Sequence, residues 1–208
     1  MAYSGGLSGW MVGSCLSPTR LNTKARRFYS LAVGQVDPST KERLIKLADD
    51  YLKEAYGLRH KKPSLAKSLA VFVRTAVDRA DGDARAAFYL VDTKGTELHH
   101  IIGMPQAYAR YVDGFVIGPQ SLACGLAVCT RRAIITPDVT EEPRWKPWLW
   151  LANKFNYRAC WSFPVEASGG RIVGTFAMYY KEPREATSRD LDLAGVMTHA
   201  AAIIISPQ

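Results

Sequence analysis

The chain has 208 residues and a formal net charge of +8, with 48% hydrophobic, 11% aromatic and 22% charged residues. This length and composition are typical of one main domain that buries a sizeable core. No stretch approaches the roughly 20 consecutive apolar residues that a membrane-spanning helix needs, which excludes a transmembrane protein and predicts no membrane partner.

The excess of positive charge lies in the N-terminal part of the chain. Residues 1–62 contain 11 Lys and Arg against 5 Asp and Glu, whereas residues 63–208 contain 16 against 14. Acidic residues are interleaved with the basic ones between positions 41 and 54, as in a solvated helix face with charge pairs. No recognition-helix or RNA-binding aromatic motif accompanies the charge, so nucleic acid is not an expected partner.

The four cysteines, Cys15, Cys124, Cys129 and Cys160, are too few and too irregularly spaced for a disulfide framework or a CxxC metal site. Residues 1–14 lack the basic start and continuous apolar stretch of a secretory signal. We therefore expect a cytoplasmic protein. His99 and His100 are adjacent on a predicted strand and point to opposite faces, so they cannot bind one metal ion, and no metal or cofactor is expected.

The N-terminal third is predicted to be a leader followed by helices. Residues 1–21 are rich in Gly and Ser without a period, which indicates a disordered leader. Residues 22–60 form a predicted helical extension of two helices, the second starting with Asp37 as N-cap and Pro38 at the first helical position. The apolar stripe of this second helix consists of Leu44, Leu47, Ala48, Tyr51, Leu52 and Ala55.

After a third predicted helix, which ends near residue 80, the hydrophobic period changes to two and predicts a sheet. The predicted strands cover residues 84–91, 96–103, 133–136, 159–165 and 171–180. The predicted helical segments between and after them cover residues 121–132 and 143–156 and a last helix capped by Thr187. This order predicts an α+β fold with a central antiparallel sheet flanked by N- and C-terminal helices.

Four sequence blocks together follow the pattern of a known family. They are Ile117-Gly118-Pro119 followed by ACGLA at 123–127, PDV at 137–139 followed by PRW at 143–145, RACWSFP at 158–164, and GRIVGTFAMYY at 170–180. These blocks resemble one branch of the GAF sensor domains and are similar to nitrate-receptor and histidine-kinase-associated GAF domains. The resemblance covers residues 64–206, which we take as the domain. The segment 31–56 resembles small alphaproteobacterial proteins, which implies a bacterial source.

The resemblance implies a small-molecule sensor whose ligand lies between the sheet and the loop-helix layer. The ligand-binding residues that it implies are Ile117, Leu122, Ala123, Cys124, Trp145, Cys160 and Trp161. Leu122-Ala123 and Leu126 stand where the branch usually has hydroxyl residues, which disfavours nitrate. Two ligand classes stay open: a small anion held by backbone N–H groups at the helix start, and an apolar or aromatic molecule beside Leu122, Trp145 and Trp161.

No carboxylate–histidine or Ser-His-Asp arrangement is visible, so no catalytic residue is assigned and we do not expect an enzyme. The first alternative is a thiol reductase similar to free methionine sulfoxide reductases, with Cys124 as nucleophile. That resemblance is incomplete, because residues 143–147 contain no further cysteine. The second alternative is a GAF domain that binds nothing and serves as a dimerisation scaffold.

The main hypothesis is a cytoplasmic GAF sensor without an attached output domain. The helical extension is expected to mediate homodimerisation or to contact a signalling protein. Ligand closure would move the 118–125 loop and the helical segment of Trp145, and so bias the packing of the N- and C-terminal helices.

Overall fold

The computed structural model describes residues 18–33, 37–59 and 63–205. Over these ranges the elements are α1 Pro18–Val33, α2 Pro38–Arg59, α3 Pro63–Arg79, β1 Ala84–Val91, β2 Glu97–Ile102, α4 Gln106–Val112, β3 Phe115–Val116, α5 Ala123–Thr130, β4 Ile134–Thr136, a 3₁₀ helix Pro143–Trp148, α6 Leu149–Lys154, β5 Ala159–Glu166, β6 Ile172–Tyr180 and α7 Ser188–Ile205. The predicted disordered leader lies outside the described residues, except for residues 18–21, which belong to α1.

The six strands form one sheet in the order β3-β2-β1-β6-β5-β4, and every neighbouring pair is antiparallel. This confirms the predicted α+β class and its central antiparallel sheet. The turn between β1 and β2 is fixed by Asp92, whose Oδ1 accepts the backbone N–H groups of Thr96 at 2.7 Å and of Glu97 at 3.0 Å. Hydrogen bonding by the Asp side chain is the reason this residue type starts such turns.

Successive strand side chains point to opposite faces of the sheet, which divides the core in two. Helices α3 and α7 cover one face and pack against Phe88, Trp161, Phe176 and other apolar side chains. The second face is covered by α4, α5 and the 143–154 helical segment, around Tyr89, Tyr179 and other residues. The two terminal helices of the domain thus share one face, as predicted.

Both predicted helix starts are confirmed. Asp37 accepts the Thr40 N–H at 2.8 Å, so it caps α2. At α7, Asp190 accepts the backbone N–H of Thr187 at 2.9 Å and donates its own N–H to the Thr187 hydroxyl at 3.3 Å. Arg184 adds two hydrogen bonds of 2.9 Å to the Asp190 carboxylate, which ties the start of α7 to the segment after β6.

The N-terminal extension forms a pair of helices that packs against the domain. Phe28 of α1 and Tyr51 of α2 stack with ring centroids 5.7 Å apart, next to the buried Ala25 and Ala48. Tyr111 of α4 packs against the same cluster. Of the predicted stripe on α2, Ala48 is buried and Leu47 is exposed, while Leu52 and Ala55 lie outside the described side chains.

Two elements were missing from the sequence prediction. Helix α4 and the two-residue strand β3 lie between residues 106 and 116, where no strand or helix was expected. The tryptophan-rich segment was predicted to be helical, but its first part is a 3₁₀ helix with Pro147 inside it. Proline has no N–H to donate, which disfavours a regular α-helix at that point.

Candidate functional site: a cavity between the sheet and helix α5

A cavity of about 30 Å³, measured as space for water-sized molecules, lies between the sheet and helices α4 and α5. Its apolar wall includes Leu98, Val112, Phe115, Leu122 and Trp145. Its polar wall consists of three tyrosines, two cysteines and Ser121, and we call it the tyrosine–thiol cavity after Tyr89, Tyr108, Tyr179, Cys124 and Cys160. The space is enough for one or two water molecules.

The three tyrosines form one hydrogen-bonded triad. The hydroxyl oxygens of Tyr89 and Tyr179 are 2.8 Å apart, and the Tyr108 hydroxyl donates to that of Tyr179 at 3.4 Å. All three side chains are almost fully buried. Burial raises the pKa of each phenol well above its ordinary value, because an ionised phenolate would lose its hydration.

Both thiols of the cavity are held in the neutral form. Burial raises the pKa of Cys124, although the hydroxyls of Ser162, Thr175 and Tyr179 favour its thiolate. Burial also raises the pKa of Cys160, and the neighbouring Cys124 adds to this effect. A thiolate is the nucleophilic form of cysteine, so this environment disfavours nucleophilic chemistry at either residue.

The first turn of α5 carries the ACG motif, and the structure explains its glycine. A Cβ atom on Gly125 would lie 2.6 Å from the Ser121 Cβ, so only glycine lets the 118–121 loop approach the helix this closely. Ser121 in turn donates a hydrogen bond of 2.5 Å to the Val116 carbonyl. The motif therefore fixes the loop that leads into the cavity wall.

The structure brings together five of the seven residues predicted to bind a ligand. Leu122, Ala123, Cys124, Trp145 and Cys160 line the cavity. Ile117 is not part of the cavity wall, but it packs against the cluster that surrounds the cavity. The seventh residue, Trp161, lies on the other face of the sheet.

Trp161 lies in the core under α3 and α7. It follows Cys160 in β5, and adjacent strand residues point to opposite faces, so the two cannot share one cavity. Its indole Nε1 donates to the Arg184 carbonyl at 3.1 Å, and its ring packs on Tyr180 at a centroid distance of 4.6 Å. The expectation that Trp161 lines the cavity is therefore corrected: its contacts are structural.

Sequence reasoning missed the tyrosine triad and Phe115. Tyr179 could have been found, because its register partner in β5 is Cys160 and paired residues of neighbouring strands lie on the same face. Tyr89 of β1 pairs with Thr175 of β6, and Thr175 lies on the same face as Tyr179, so the same argument applies to Tyr89. Tyr108 could not be found by this argument, since it lies on α4, which the sequence did not predict.

Phe115 lines the cavity on the side where the N-terminal extension packs. Its ring packs on Trp148 at a centroid distance of 4.8 Å. The Arg26 guanidinium of α1 lies over the same ring, 5.4 Å from its centroid, and donates a hydrogen bond to the Gly114 carbonyl. The extension thus contacts a residue that lines the cavity.

Comparison with known proteins agrees with this architecture. The sequence model of the GAF domain matches residues 66–206. The chain belongs to the GAF domain family. Residues 18–59 of the helical extension precede the matched GAF region, whereas the tyrosine–thiol cavity lies within it.

One curated relative is a sensor. The chain is 26% identical over 102 residues to the methyl sulfide methyltransferase-associated sensor of Methanosarcina acetivorans. The similarity covers 49% of this chain and only 10% of that protein. The chain therefore corresponds to a small part of that protein's length.

Solved structures with this fold include a region of a membrane protein and an enzyme. The GAF domain region of a membrane protein from Geobacter sulfurreducens is 16% identical, with a TM-score of 0.57 over 68% of this chain and 93% of that one. The type II free methionine-R-sulfoxide reductase of Thermoplasma acidophilum is 15% identical, with a TM-score of 0.56 over 68% and 92%. At these identities the similarity shows the fold and not the function.

Neither a membrane-spanning helix nor a metal-binding cluster is present among the described residues. No helix among them is long and apolar enough to cross a membrane. No group of three or more His, Cys, Asp or Glu side chains within residues 18–33, 37–59 and 63–205 is arranged to hold a metal ion.

Proposed function

We propose that this GAF domain is a small-molecule sensor and that its ligand binds in the tyrosine–thiol cavity. The observation that carries the proposal is the polar wall of a buried space. Three buried tyrosines and the cysteines Cys124 and Cys160 line this space, although most of its remaining wall is hydrocarbon. Buried polar groups in native proteins have hydrogen-bond partners, so a space lined in this way suits a bound molecule that supplies one.

The size of the cavity restricts the ligand. A space of about 30 Å³ is far smaller than the about 150 Å³ that accommodates benzene in an apolar protein cavity. A ligand of more than a few non-hydrogen atoms therefore requires the rim at Phe115 and Leu122 to move outward. This favours a very small ligand, or a loop at residues 117–122 that opens for a larger one.

The proposed signal leaves the cavity through Phe115 and Arg26. A ligand that displaces the Phe115 ring changes the surface on which the Arg26 guanidinium lies, and this alters the docking of α1 on the domain. An Arg26→Gln variant should release the segment 114–116 and raise its amide hydrogen exchange about tenfold, as expected for the loss of a cation–π contact and a hydrogen bond.

The matched control is Arg27→Gln, because Arg27 is the exposed neighbour of Arg26 on α1. Its exchange rates should equal those of the wild type. Equal exchange at residues 114–116 in both variants would remove this route for the signal.

Thermal unfolding against a ligand panel tests the sensor function itself. The panel contains nitrate, nitrite, dimethyl sulfide, methionine sulfoxide, 2-oxoglutarate, cyclic nucleotides and aromatic acids. A ligand at one hundred times its dissociation constant stabilises the native state by about 2.7 kcal/mol, which raises the Tm of a domain this size by roughly 5–10 °C. A Leu122→Trp variant, which adds bulk at the rim, should lose the shift.

A second candidate function is thiol-dependent reduction of a small sulfoxide. Cys124 and Cys160 both line the cavity, and free methionine-R-sulfoxide reductases share the fold. In such a reaction two thiols become a disulfide while the sulfoxide oxygen leaves as water. Methionine formation from methionine sulfoxide with a dithiol reductant, abolished in Cys124→Ser, would establish it. The raised pKa of both thiols makes it the weaker candidate.

The small cavity also agrees with the second alternative, a GAF dimerisation scaffold that binds no ligand. Val196 and Ile203 of α7 are each 62% exposed and lie seven residues apart on one helix face. These residues are our proposed contact for a homodimer. The homodimer, a signalling partner and a cytoplasmic location stay predictions.

A further inference from the structure

The tyrosine triad carries one more hydrogen-bond donor than it can satisfy internally. Each phenol has one O–H proton, so Tyr89, Tyr108 and Tyr179 have three. Two hydrogen bonds, of 2.8 Å and 3.4 Å, join their oxygen atoms and use two of these protons. Whichever way the bonds are directed, one proton has no oxygen acceptor within the triad.

The remaining polar atoms nearby do not supply a good acceptor. The Cys124 sulfur faces the Tyr179 hydroxyl, but sulfur is a weak acceptor. The Ser121 hydroxyl of the lining bonds the Val116 carbonyl, and the Tyr157, Ser162 and Thr175 hydroxyls are buried without a regular hydrogen-bond partner among the described residues, so no regular hydrogen bond links any of them to the triad. The spare proton of the triad therefore lacks an oxygen acceptor, which an oxygen atom of a molecule inside the cavity would supply.

The cavity wall offers no charge to balance an ion. Among the described residues, its lining contains no Asp, Glu, Lys, Arg or His. Its ionisable groups are phenols and thiols, whose pKa values burial raises, so they stay neutral at pH 7. A cation entering this space would lose its hydration without gaining an opposite charge, and an anion would meet only the partial positive charge of the α5 N-terminus.

The rest of the cavity wall is mainly apolar. Trp145, Leu98 and Val112 lie around the same space as the triad, so a bound molecule contacts hydroxyls at one end and hydrocarbon elsewhere. We propose that the ligand is a small uncharged molecule with an acceptor oxygen, which takes the spare proton of the tyrosine triad while its apolar part packs against Trp145. This inference rests on the proposed function, since it names the ligand class of the same cavity.

Matched pairs of probes separate charge from size. Formamide and formate have the same number of non-hydrogen atoms, and so do acetamide and acetate. We expect formamide and acetamide to produce saturable NMR chemical-shift changes in the full chain at pH 7. These changes should be confined to backbone N–H groups around Cys124 and Tyr179. For ligands this small, dissociation constants in the millimolar range are expected. The two anions should bind at least tenfold more weakly at equal ionic strength.

Tyrosine-to-phenylalanine variants test the triad. Tyr179→Phe removes the central hydroxyl and should weaken acetamide binding about five- to tenfold. Tyr180→Phe is the matched control, because Tyr180 is the next residue in β6 and its hydroxyl bonds the Met178 sulfur at 3.9 Å on the other face. If Tyr179→Phe does not fold, Tyr108→Phe replaces it, with thermal unfolding as the check on folding.

The outcomes separate this inference from the function on which it rests. Tighter binding of formate and acetate than of the amides overturns the uncharged class and leaves a ligand-binding cavity. Equal acetamide binding by Tyr179→Phe and Tyr180→Phe overturns the role of the triad. If none of the four probes binds while a compound of the thermal panel does bind in the cavity, only the ligand class fails. If none of the four probes binds and no compound of the thermal panel binds, the proposed function fails.

Discussion

Gly174 is a position where one added methyl group should disturb both the sheet and the cavity. It lies in β6, between β1 and β5, and pairs with Leu90 and Val165. A Cβ atom at this position would lie 2.2 Å from the backbone carbonyl oxygen of Tyr89, a cavity residue. Close carbon–oxygen contacts between strands lie at about 3.3 Å, so β1 and β6 must separate by roughly 1 Å to accept the methyl group.

The expected cost of Gly174→Ala follows from this displacement. Forcing extra volume into a packed region costs about 1–3 kcal/mol, and each backbone hydrogen bond weakened between the two strands adds about 1 kcal/mol. We therefore expect the free energy of unfolding to fall by about 3 kcal/mol or more. For a domain of this size, this lowers the Tm by at least about 6–12 °C. Urea and thermal unfolding measure both quantities.

Gly195→Ala is the control that changes the same atom in an open position. Gly195 lies in α7, is exposed, and a Cβ there would have no neighbour within 4 Å. Alanine favours the helix over glycine by about 1 kcal/mol, so this variant should be slightly more stable than the wild type. An unfolding free energy of Gly174→Ala within about 1 kcal/mol of the wild type would refute the close-approach argument.

Two further predictions concern ionisation and thiol access. Arg158 and its hydrogen bond lower the pKa of Asp138 to about 2 from 3.8, so this carboxylate stabilises the fold above about pH 4, and its contribution is lost as the pH falls toward 2. The stability difference between wild type and Asp138→Asn should therefore shrink over that interval in urea unfolding at several pH values; a constant difference would contradict it. In alkylation followed by peptide mass analysis, exposed Cys129 should react first in the native protein, half-buried Cys124 more slowly because its pKa is raised, and buried Cys160 only after unfolding. Fast native labelling of Cys160 would show that the cavity opens readily.

Local patterns in the sequence predicted most of the secondary structure. The strand predicted at residues 84–91 has the observed bounds of β1, and the second hairpin, residues 159–180, differs by one residue at two of its strand ends. Helix starts at Asp37 and Thr187 were also found. These features depend on period, turn residues and capping side chains, which are properties of neighbouring residues.

The segment 104–116 shows where local reasoning stops. Helix α4 has seven residues, and its N-cap residue Pro105 makes no side-chain hydrogen bond, so the helix leaves little trace in the sequence. Strand β3 has two residues, which are strand only because they pair with Glu97 and Leu98 of β2. A pairing between residues about 18 positions apart is decided by tertiary contacts.

The sequence also predicted only part of the candidate site. The ACG block and Cys160 indicated which segments approach the ligand, and five predicted residues do line one cavity. Period-two reasoning alone would have separated Cys160 from Trp161, since adjacent strand residues cannot share a face. The resemblance drew them together because it compares motifs rather than side-chain directions.

The sequence by itself determined the α+β class and most element boundaries, because these depend on short-range patterns, and its motifs indicated the family and five of the residues that line the cavity. Only the tertiary structure decided that three tyrosines from β1, α4 and β6 meet at one point, with hydroxyl oxygens of neighbouring residues 2.8 Å and 3.4 Å apart. It also decided that Arg26 reaches Phe115 and that the cavity is about 30 Å³. The physical reason is that cavity shape and donor balance depend on distances between elements far apart in the chain, which packing sets and no local pattern encodes.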